Sequence, residues 1–520
     1  MAESREATAV VFPWLAFGHI IPYLELSEQL ARRGHAITFV STPRNIARLR
    51  RIPEDLSPRL RLLPLPLPSV EGLPDGAEST ADVPPEKIEL LKVAVDGLAA
   101  PFARFLAEAC AGAGGPGGLF GKKPEWVFVD FAHYWLPPIA EQHKVSCAFF
   151  SIFPAPFMAF VGPRTVNDAH PRTTPEDFTA QPRWIPFPTP IAHRLHEAKV
   201  LIEAFRPNAS GMSDICRFWR TEERCSLFIS RSCRQVDGPI CPLLADLFGK
   251  PIALSGLLAP YDAARAAQQA DRVVEGDEES ASLMHWLDEQ PEKSVIYVAF
   301  GSEAPLIPDQ VRELALGLEL AGARFVWALR EPSAALLPEG FAERMAASGL
   351  GLVRVGWVPQ VRLLARGAVG AFLTHAGWSS LMESFLFGHP LVMLPLFGDQ
   401  GVTARAMASR AVGLEVPRDN DDGSFGRDDV AATVRRVMAD GEEGRAFARN
   451  AREFQEILWN RAKQETYFDE LVEHLLRLRH SHKDDNSGRV LLVYSRKIVF
   501  SPSSQRPLVA VAQPGLRGRD

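Results

Sequence analysis

Cysteine is scarce in this chain. Its 520 residues hold six, Cys110, Cys147, Cys216, Cys225, Cys233 and Cys241, with no C-x-x-C pair and no zinc-type spacing to histidine. A disulfide scaffold and a zinc module are excluded on that ground, and reduced thiols in a reducing compartment are expected. No stretch reaches the ~18 uninterrupted apolar residues of a membrane span, so no integral membrane segment is expected. Neither sign of charge dominates: 57 Lys and Arg stand against 63 Asp and Glu, a net charge of −6. A polyanionic partner such as nucleic acid needs a basic surface, and none is offered. The opening "MAESREATAVVFPWLAFGHIIP" lacks a basic leader and a small-residue cleavage pattern, which predicts a cytoplasmic protein without a signal peptide. No G-x-G-x-x-G follows the first apolar run, which argues against a dinucleotide oxidoreductase.

What is present is the usage of an ordinary globular protein, 46% hydrophobic and 23% charged. At this length two domains are the expectation, with room for a cleft between them. Short apolar runs alternate with amphipathic helical patterns, the mark of α/β architecture with helices on both faces of a parallel sheet. Strands are predicted at 8–14, 35–41, 60–65, 125–130, 146–151 and 226–230, with helices at 21–34, 85–111 and 192–205. A second series follows: strands at 294–300, 324–330, 351–358, 367–374 and 390–395, with a helix over 308–321. The organisation expected is therefore two doubly wound halves, 1–255 and 283–450. An acidic linker over 256–282 joins them, and a helical segment over 451–480 packs back on the first half. Residues 481–520, Pro- and Gly-rich at their end, are expected to form a loosely ordered appendage.

Two places carry polar residues where an open α/β sheet binds ligands, beyond the carboxyl ends of its strands. One is the turn "LAFGHIIP", which sets His19 after the first strand. The other is the segment from Trp357 to Gln400, "WVPQVRLLARGAVGAFLTHAGWSSLMESFLFGHPLVMLPLFGDQ". There a strand ends in a turn at Gly377 and a helix is expected to begin near Ser379 and Ser380. Its first N–H groups lack internal partners and carry the positive end of the dipole, which suits a phosphate. Ser380 and Glu383, three residues apart, read equally well as a capping box. A lone His19 is more often structural, Trp357 alone is more often core, and Asp399-Gln400 alone is more often a helix cap. The "DNDD" run at 419–422 superficially resembles a metal-binding D-x-D, but in a Gly/Ser context far from this segment it reads as a solvated acidic loop.

Taken in order and spacing, Trp357 to Gln400 resembles, without a gap, the donor-binding signature box of plant family-1 UDP-dependent glycosyltransferases. The similarity extends over residues 8–478 and includes "FGHIIP"; residues 481–520 look foreign to it, as a divergent exon or gene-model artefact would. The resemblance implies the GT-B fold, two Rossmann-like domains facing across a cleft, with acceptor held by the first and UDP-sugar by the second. It implies His19 as general base and Asp130 as the carboxylate that orients it. On the donor side it implies Trp357 stacking on uracil, Val358 and Gln360 on the base edge, and Glu383 on the ribose. His375, Ser380 and Ser302 would hold the diphosphate, while Trp378, Asp399 and Gln400 would face the sugar. Ser379 stands where the family usually has asparagine, a change frequent in its sugar-extending branch. The acceptor pocket is expected near Phe17, Phe131, Tyr134 and Phe153.

The implied activity is inverting transfer from a UDP-sugar, as co-substrate, to a hydroxyl of a small lipophilic metabolite or its glycoside, such as a flavonoid or terpenoid glycoside. No other cofactor and no metal are expected, and the protein is expected to be a monomer. UDP-glucose is the first expectation for the donor, because Gln400 is associated in the family with glucose; UDP-rhamnose is the second. A catalytically inactive GT-B binding protein is the alternative of another class.

Overall fold

The structure, a computed structural model, describes residues 6–112, 120, 122–269, 278–301, 306–330 and 334–479. The expected appendage over 481–520 lies outside the described residues, as does Ser302.

Seven parallel strands build the first sheet: β1 (Thr8–Phe12), β2 (Ala36–Ser41), β3 (Leu60–Pro64), β4 (Trp126–Val129), β5 (Ser146–Ser151), β6 (Leu227–Ser230) and β7 (Ile252–Leu254), in the order β3-β2-β1-β4-β5-β6-β7. Every residue of β1, β2, β4, β5 and β6 is buried, as strands covered on both faces must be. Successive residues serve opposite faces: Val10 and Phe12 join one core layer, Ala9 and Val11 the other. The second sheet, β8 (Val295–Ala299), β9 (Arg324–Leu329), β10 (Gly351–Val355), β11 (Val369–Thr374), β12 (Leu391–Met393) and β13 (Gly413–Glu415), runs β10-β9-β8-β11-β12-β13, also parallel. Strand order reverses between β1 and β4 in one sheet and between β8 and β11 in the other. Those reversals are where side chains from neighbouring loops meet over an open crevice.

The helices that matter below are α1 (Phe17–Arg32), α2 (Leu195–Leu201), α3 (Trp378–Phe385), α4 (Gln400–Ser409), α5 (Glu442–Trp459) and α6 (Arg461–Leu478). Helix α1 starts at Phe17, earlier than the expected 21. Pro22 lies inside the helix. Having no N–H, it cannot bond the Gly18 carbonyl, and the turn before it still closes through the His19 and Ile20 amides onto Ala16. His19 is therefore a helical residue. The expected helix over 85–111 is two, Ile88–Asp96 and Ala99–Cys110, separated at Gly97. The expected linker contains a helix, Tyr261–Gln269, and buries Leu257, Leu258 and Ala264.

The chain crosses back at Asn460, whose side chain caps α6 by accepting from the Lys463 amide. Before it, α5 packs on the second half, with Phe454 stacked on Phe385 at 4.6 Å. After it, Phe468, Leu471 and Leu475 join the core layer of α1, and the Trp126 indole donates to the Leu475 carbonyl at 3.2 Å. Among the described residues no helix is long and apolar enough to cross a membrane.

A second stitch joins the halves through α2 and α4. Arg405 binds Glu197 and donates to the Ala192 carbonyl, and Arg194 pairs with Glu415 at 3.1 Å. Burial opposes charge on Glu197, yet His193 and Arg405 outweigh it and the carboxylate titrates well below its usual range. The "DNDD" loop is solvent-exposed, as expected, and it also takes part in this stitch. Asn420 accepts from the His196 and Leu195 amides, and Asp421 pairs with Lys199 at 2.8 Å. Sequence could not reveal this, because the partners lie more than 200 positions away.

Candidate active site

A cleft of about 300 Å³ opens where the two strand-order reversals meet. The first half lines it with Phe17, Gly18, His19, Ile21, Ile152 and Phe153. The second supplies Phe300, Gly301, His375, Gly377, Trp378, Ser379, Ser380, Glu383, Phe397, Asp399 and Gln400.

His19 and Asp130 are 111 positions apart and meet at 2.8 Å, His19 Nδ1 to Asp130 Oδ2. They meet because β1 and β4 are hydrogen-bonded neighbours and both side chains stand past the ends of those strands. Asp130 is 1% exposed and also accepts from the Trp14 amide at 3.0 Å and the Phe131 amide at 2.7 Å. Burial alone would raise its pKa, but the His19 imidazole and the Trp14 amide outweigh burial and hold it below the usual carboxylate value. An ionised carboxylate only accepts, so Nδ1 carries the imidazole proton and Nε2 is left as the basic atom. The rings of Phe131 and Phe153 flank His19 at centroid distances of 5.7 and 5.6 Å.

Across the cleft, β11 turns into α3 through Ala376, held at a left-handed φ of 64°, a conformation that costs a non-glycine residue roughly 1–3 kcal/mol. Helix α3 begins at Trp378 with Gly377 as its N-cap and no side-chain cap. The expected capping box is thus corrected: Ser380 lies inside the first turn, and Glu383 accepts instead from Gln360 Nε2 at 2.7 Å. Gln360 in turn accepts from the Tyr297 hydroxyl at 3.2 Å. The order Tyr297, Gln360, Glu383 aims the carboxylate, and burial raises its pKa against the pull of Gln360 and Arg231. His375 is packed between glycine backbones. A Cβ at Gly377 would stand 2.3 Å from His375 Nε2, and one at Gly301 3.0 Å from the same ring. Burial pushes the His375 pKa down to about 4, so it enters this site as a neutral imidazole.

The remaining candidates divide. Trp357 is 80% exposed and, like Gln360, does not line the cleft. Val358 is buried in the core of the second half. The indole N–H of Trp378, expected to face a sugar, donates to the Arg231 carbonyl at 3.2 Å. Gln400 Oε1 accepts from the Leu396 and Phe397 amides at 2.9 and 3.1 Å. Of the acceptor candidates, Phe17 and Phe153 line the cleft, Phe131 backs His19, and Tyr134 lies under the Arg217 guanidinium at 5.1 Å, away from the lining. The reading of the sequence missed Tyr297 and Arg231, neither of which stands in a motif, and the apolar wall of Ile21, Ile152 and Phe397.

Asp399 lines the cleft, and burial raises its pKa to about 6, opposed by its own amide and by His19. The folded state thus binds this proton more tightly than the unfolded chain, so stability falls as pH rises from 3.8 to about 6. Asp399→Asn has no such proton to lose. Its melting temperature relative to wild type should rise across that window and then level off, in scans at constant ionic strength; a constant difference would contradict the assignment.

The profile of the UDP-glucoronosyl and UDP-glucosyl transferase family matches residues 271–449. Over 477 residues the chain is 40% identical to UDP-glycosyltransferase 91C1 of Arabidopsis thaliana, covering 91% of this chain and 97% of that protein. It is 35% identical over 485 residues to soyasaponin III rhamnosyltransferase of Glycine max, covering 92% and 97%. Among solved structures, Glycyrrhiza uralensis UGT73P12 complexed with glycyrrhetinic acid 3-O-monoglucuronide superposes with a TM-score of 0.72 at 21% identity, over 92% of this chain and 97% of that one. That likeness extends to the two-sheet fold as a whole.

Proposed function

Because this chain belongs to the plant UDP-dependent glycosyltransferases and is an enzyme of that class with the GT-B fold, we propose that it transfers a sugar, with inversion, from a UDP-sugar to a hydroxyl of a small lipophilic metabolite or its glycoside. The observation that carries the reading is the His19–Asp130 pair facing the start of α3 across one cleft. An acceptor hydroxyl is a weak nucleophile near neutral pH. His19 Nε2 takes its proton as the oxygen attacks the anomeric carbon, and Asp130 stabilises the imidazolium that forms. UDP departs on the opposite face, so an α-linked donor yields a β-linked product. Charge developing on the diphosphate is met by the first-turn N–H groups of α3, by Ser380 and by His375. His375 acts there as a neutral hydrogen-bond donor, and these groups supply the role a metal would otherwise fill.

Glu383, aimed by Gln360, is assigned the ribose hydroxyls, and Asp399 and Gln400 the sugar. Ser302 is assigned the diphosphate by resemblance alone. Phe17, Ile21, Ile152, Phe153 and Phe397 give the acceptor side an apolar wall, which suits a lipophilic ligand. UDP-glucose is the first donor reading. UDP-rhamnose is the second, favoured by relatives named rhamnosyltransferases, such as soyasaponin III rhamnosyltransferase and the anthocyanidin-3-O-glucoside rhamnosyltransferase of Petunia hybrida. The protein is read as a monomer, since one chain supplies both walls of the cleft, and as cytoplasmic, in keeping with six free cysteines.

The test is incubation of purified protein with UDP-glucose and UDP-rhamnose over a panel of phenolic and terpenoid acceptors and their glycosides, following UDP release and product mass. Acceptor-dependent UDP release with a β-linked glucoside is expected; UDP binding without turnover on any acceptor would favour the inactive binding protein. Trp357→Ala adds a local check. The side chain is 80% exposed, so its loss should leave the melting temperature unchanged. Lost stacking on uracil, about 1–3 kcal/mol per base, should weaken UDP binding by roughly 5- to 150-fold. Unaltered UDP affinity by calorimetry would remove Trp357 from the donor site.

A further inference from the structure

Arg231, the residue after β6, belongs to the first half yet reaches the donor wall. Its guanidinium is buried, with the residue 2% exposed. Nε donates to the Leu257 carbonyl at 3.0 Å, Nη2 to the Leu258 carbonyl at 3.1 Å, and Nη1 to Ser379 Oγ at 2.7 Å. Leu258 sits at a left-handed φ of 48°, and the two successive carbonyls converge on one cation. The Arg231 carbonyl holds the Trp378 indole, so both ends of the residue grip the first turn of α3. Among the described residues no ion pair joins Arg231 to a carboxylate. Burial accordingly lowers its pKa to about 10, against the opposing pull of Glu383.

Removing a guanidinium from water without a paired anion is costly, and here the charge is kept one hydrogen bond from the cleft. A guanidinium has donors only, so Ser379 Oγ must accept from it. The hydroxyl proton of Ser379 is thereby turned elsewhere, and Ser379 lines the cleft. A hydroxyl that accepts from a cation is polarised and donates more strongly in its turn.

We propose that Arg231 is a positioning residue for diphosphate recognition. It acts through Ser379, whose hydroxyl it orients and polarises to donate to a phosphate oxygen at the start of α3. This rests on the reading of α3 as the diphosphate site, and it gives a role to the serine that replaces the family's usual asparagine. The buried cation of the first half then finds its counter-charge in a ligand held by the second half.

The experiment measures UDP and uridine affinities by calorimetry for wild type, Ser379→Ala, Arg231→Met and the double variant. Uridine lacks the phosphates, so a general disturbance of the cleft weakens both ligands while loss of this relay weakens only UDP. Ser379→Ala is expected to lose about tenfold in UDP affinity, the scale of a hydrogen bond to a charged group, with uridine affinity and melting temperature unchanged. Arg231→Met should cost a similar factor in wild type and little more in the Ser379→Ala background, because the two act in series. An unchanged ratio of UDP to uridine affinity in Ser379→Ala overturns the proposal, whether or not Arg231→Met folds. Fully multiplicative losses overturn the claim that Arg231 works through Ser379. Failure of the wild type to bind UDP would instead overturn the donor-site reading itself.

Discussion

His19→Ala is expected to lower kcat by about 10²- to 10⁴-fold, the usual worth of a positioned general base, while leaving UDP affinity unchanged. The asymmetry follows from position. His19 stands on the first half, beside Phe131 and Phe153, whereas the groups assigned to UDP all come from the second half. The imidazole is partly exposed, with 11% of its side-chain surface open, and its removal opens space into the cleft rather than a void in the core. Stability should therefore change little. Single-turnover rates with saturating donor would isolate the chemical step. Equal rates for wild type and variant, with both still binding UDP, would mean that His19 is not the base.

Asp130→Asn should come close to the same loss, up to about 10⁴-fold in kcat, by a different route and with a cost in stability. The carboxylate accepts three hydrogen bonds, from the Trp14 amide, the Phe131 amide and His19 Nδ1. Asparagine offers one acceptor oxygen and an NH₂ group. If the oxygen stays with the Phe131 amide, the NH₂ takes the place of Oδ2, where it faces both the Trp14 N–H and Nδ1; it reverses the imidazole tautomer, so Nε2 carries the proton and cannot take one from an acceptor. If the oxygen turns to His19, a buried main-chain N–H is orphaned, at about 1–3 kcal/mol. Either way a main-chain N–H loses its acceptor and the negative charge opposite the imidazolium is gone, so a lower melting temperature should accompany the lost rate while UDP binding persists. A fully active Asp130→Asn would show that the carboxylate only braces the loop after β4.

Much of the fold was legible. β1, β2, β5 and β8 are apolar runs that appear within a residue or two of where their composition puts them, because strands buried on both faces tolerate little else. The helix over 308–321 appears with its expected bounds, framed by Pro308 at its start and Gly322 after its end. Boundaries failed where a local signal competed with tertiary contact. Helix α1 was expected from 21 yet begins at Phe17, since the Ala16 carbonyl already closes the turn that carries His19. Ser380 and Glu383 had the spacing of a capping box, but Gly377 caps α3 and Glu383 answers to Gln360.

The candidate site was legible in its parts and not in its wiring. His19 and the Trp357–Gln400 segment stand out because each follows a buried strand, and their resemblance to a known box named their roles. Nothing in the sequence joins Tyr297 to Gln360, or Arg231 to Ser379, pairs 63 and 148 positions apart. The interdomain grip of Arg405 on Glu197 and of Asn420 on α2 is equally silent, since an arginine, a glutamate or an asparagine in a loop has no periodicity to betray its partner.

The sequence by itself determined the alternation of buried strands and amphipathic helices, the division into two halves and the polar residues at strand ends, because period and burial are local properties that each segment carries alone. The tertiary structure decided which of those residues face one another. Reversal of strand order brings β1 beside β4, and that proximity makes a distant aspartate the hydrogen-bond partner of His19; the meeting of the two halves makes a buried arginine the neighbour of Ser379.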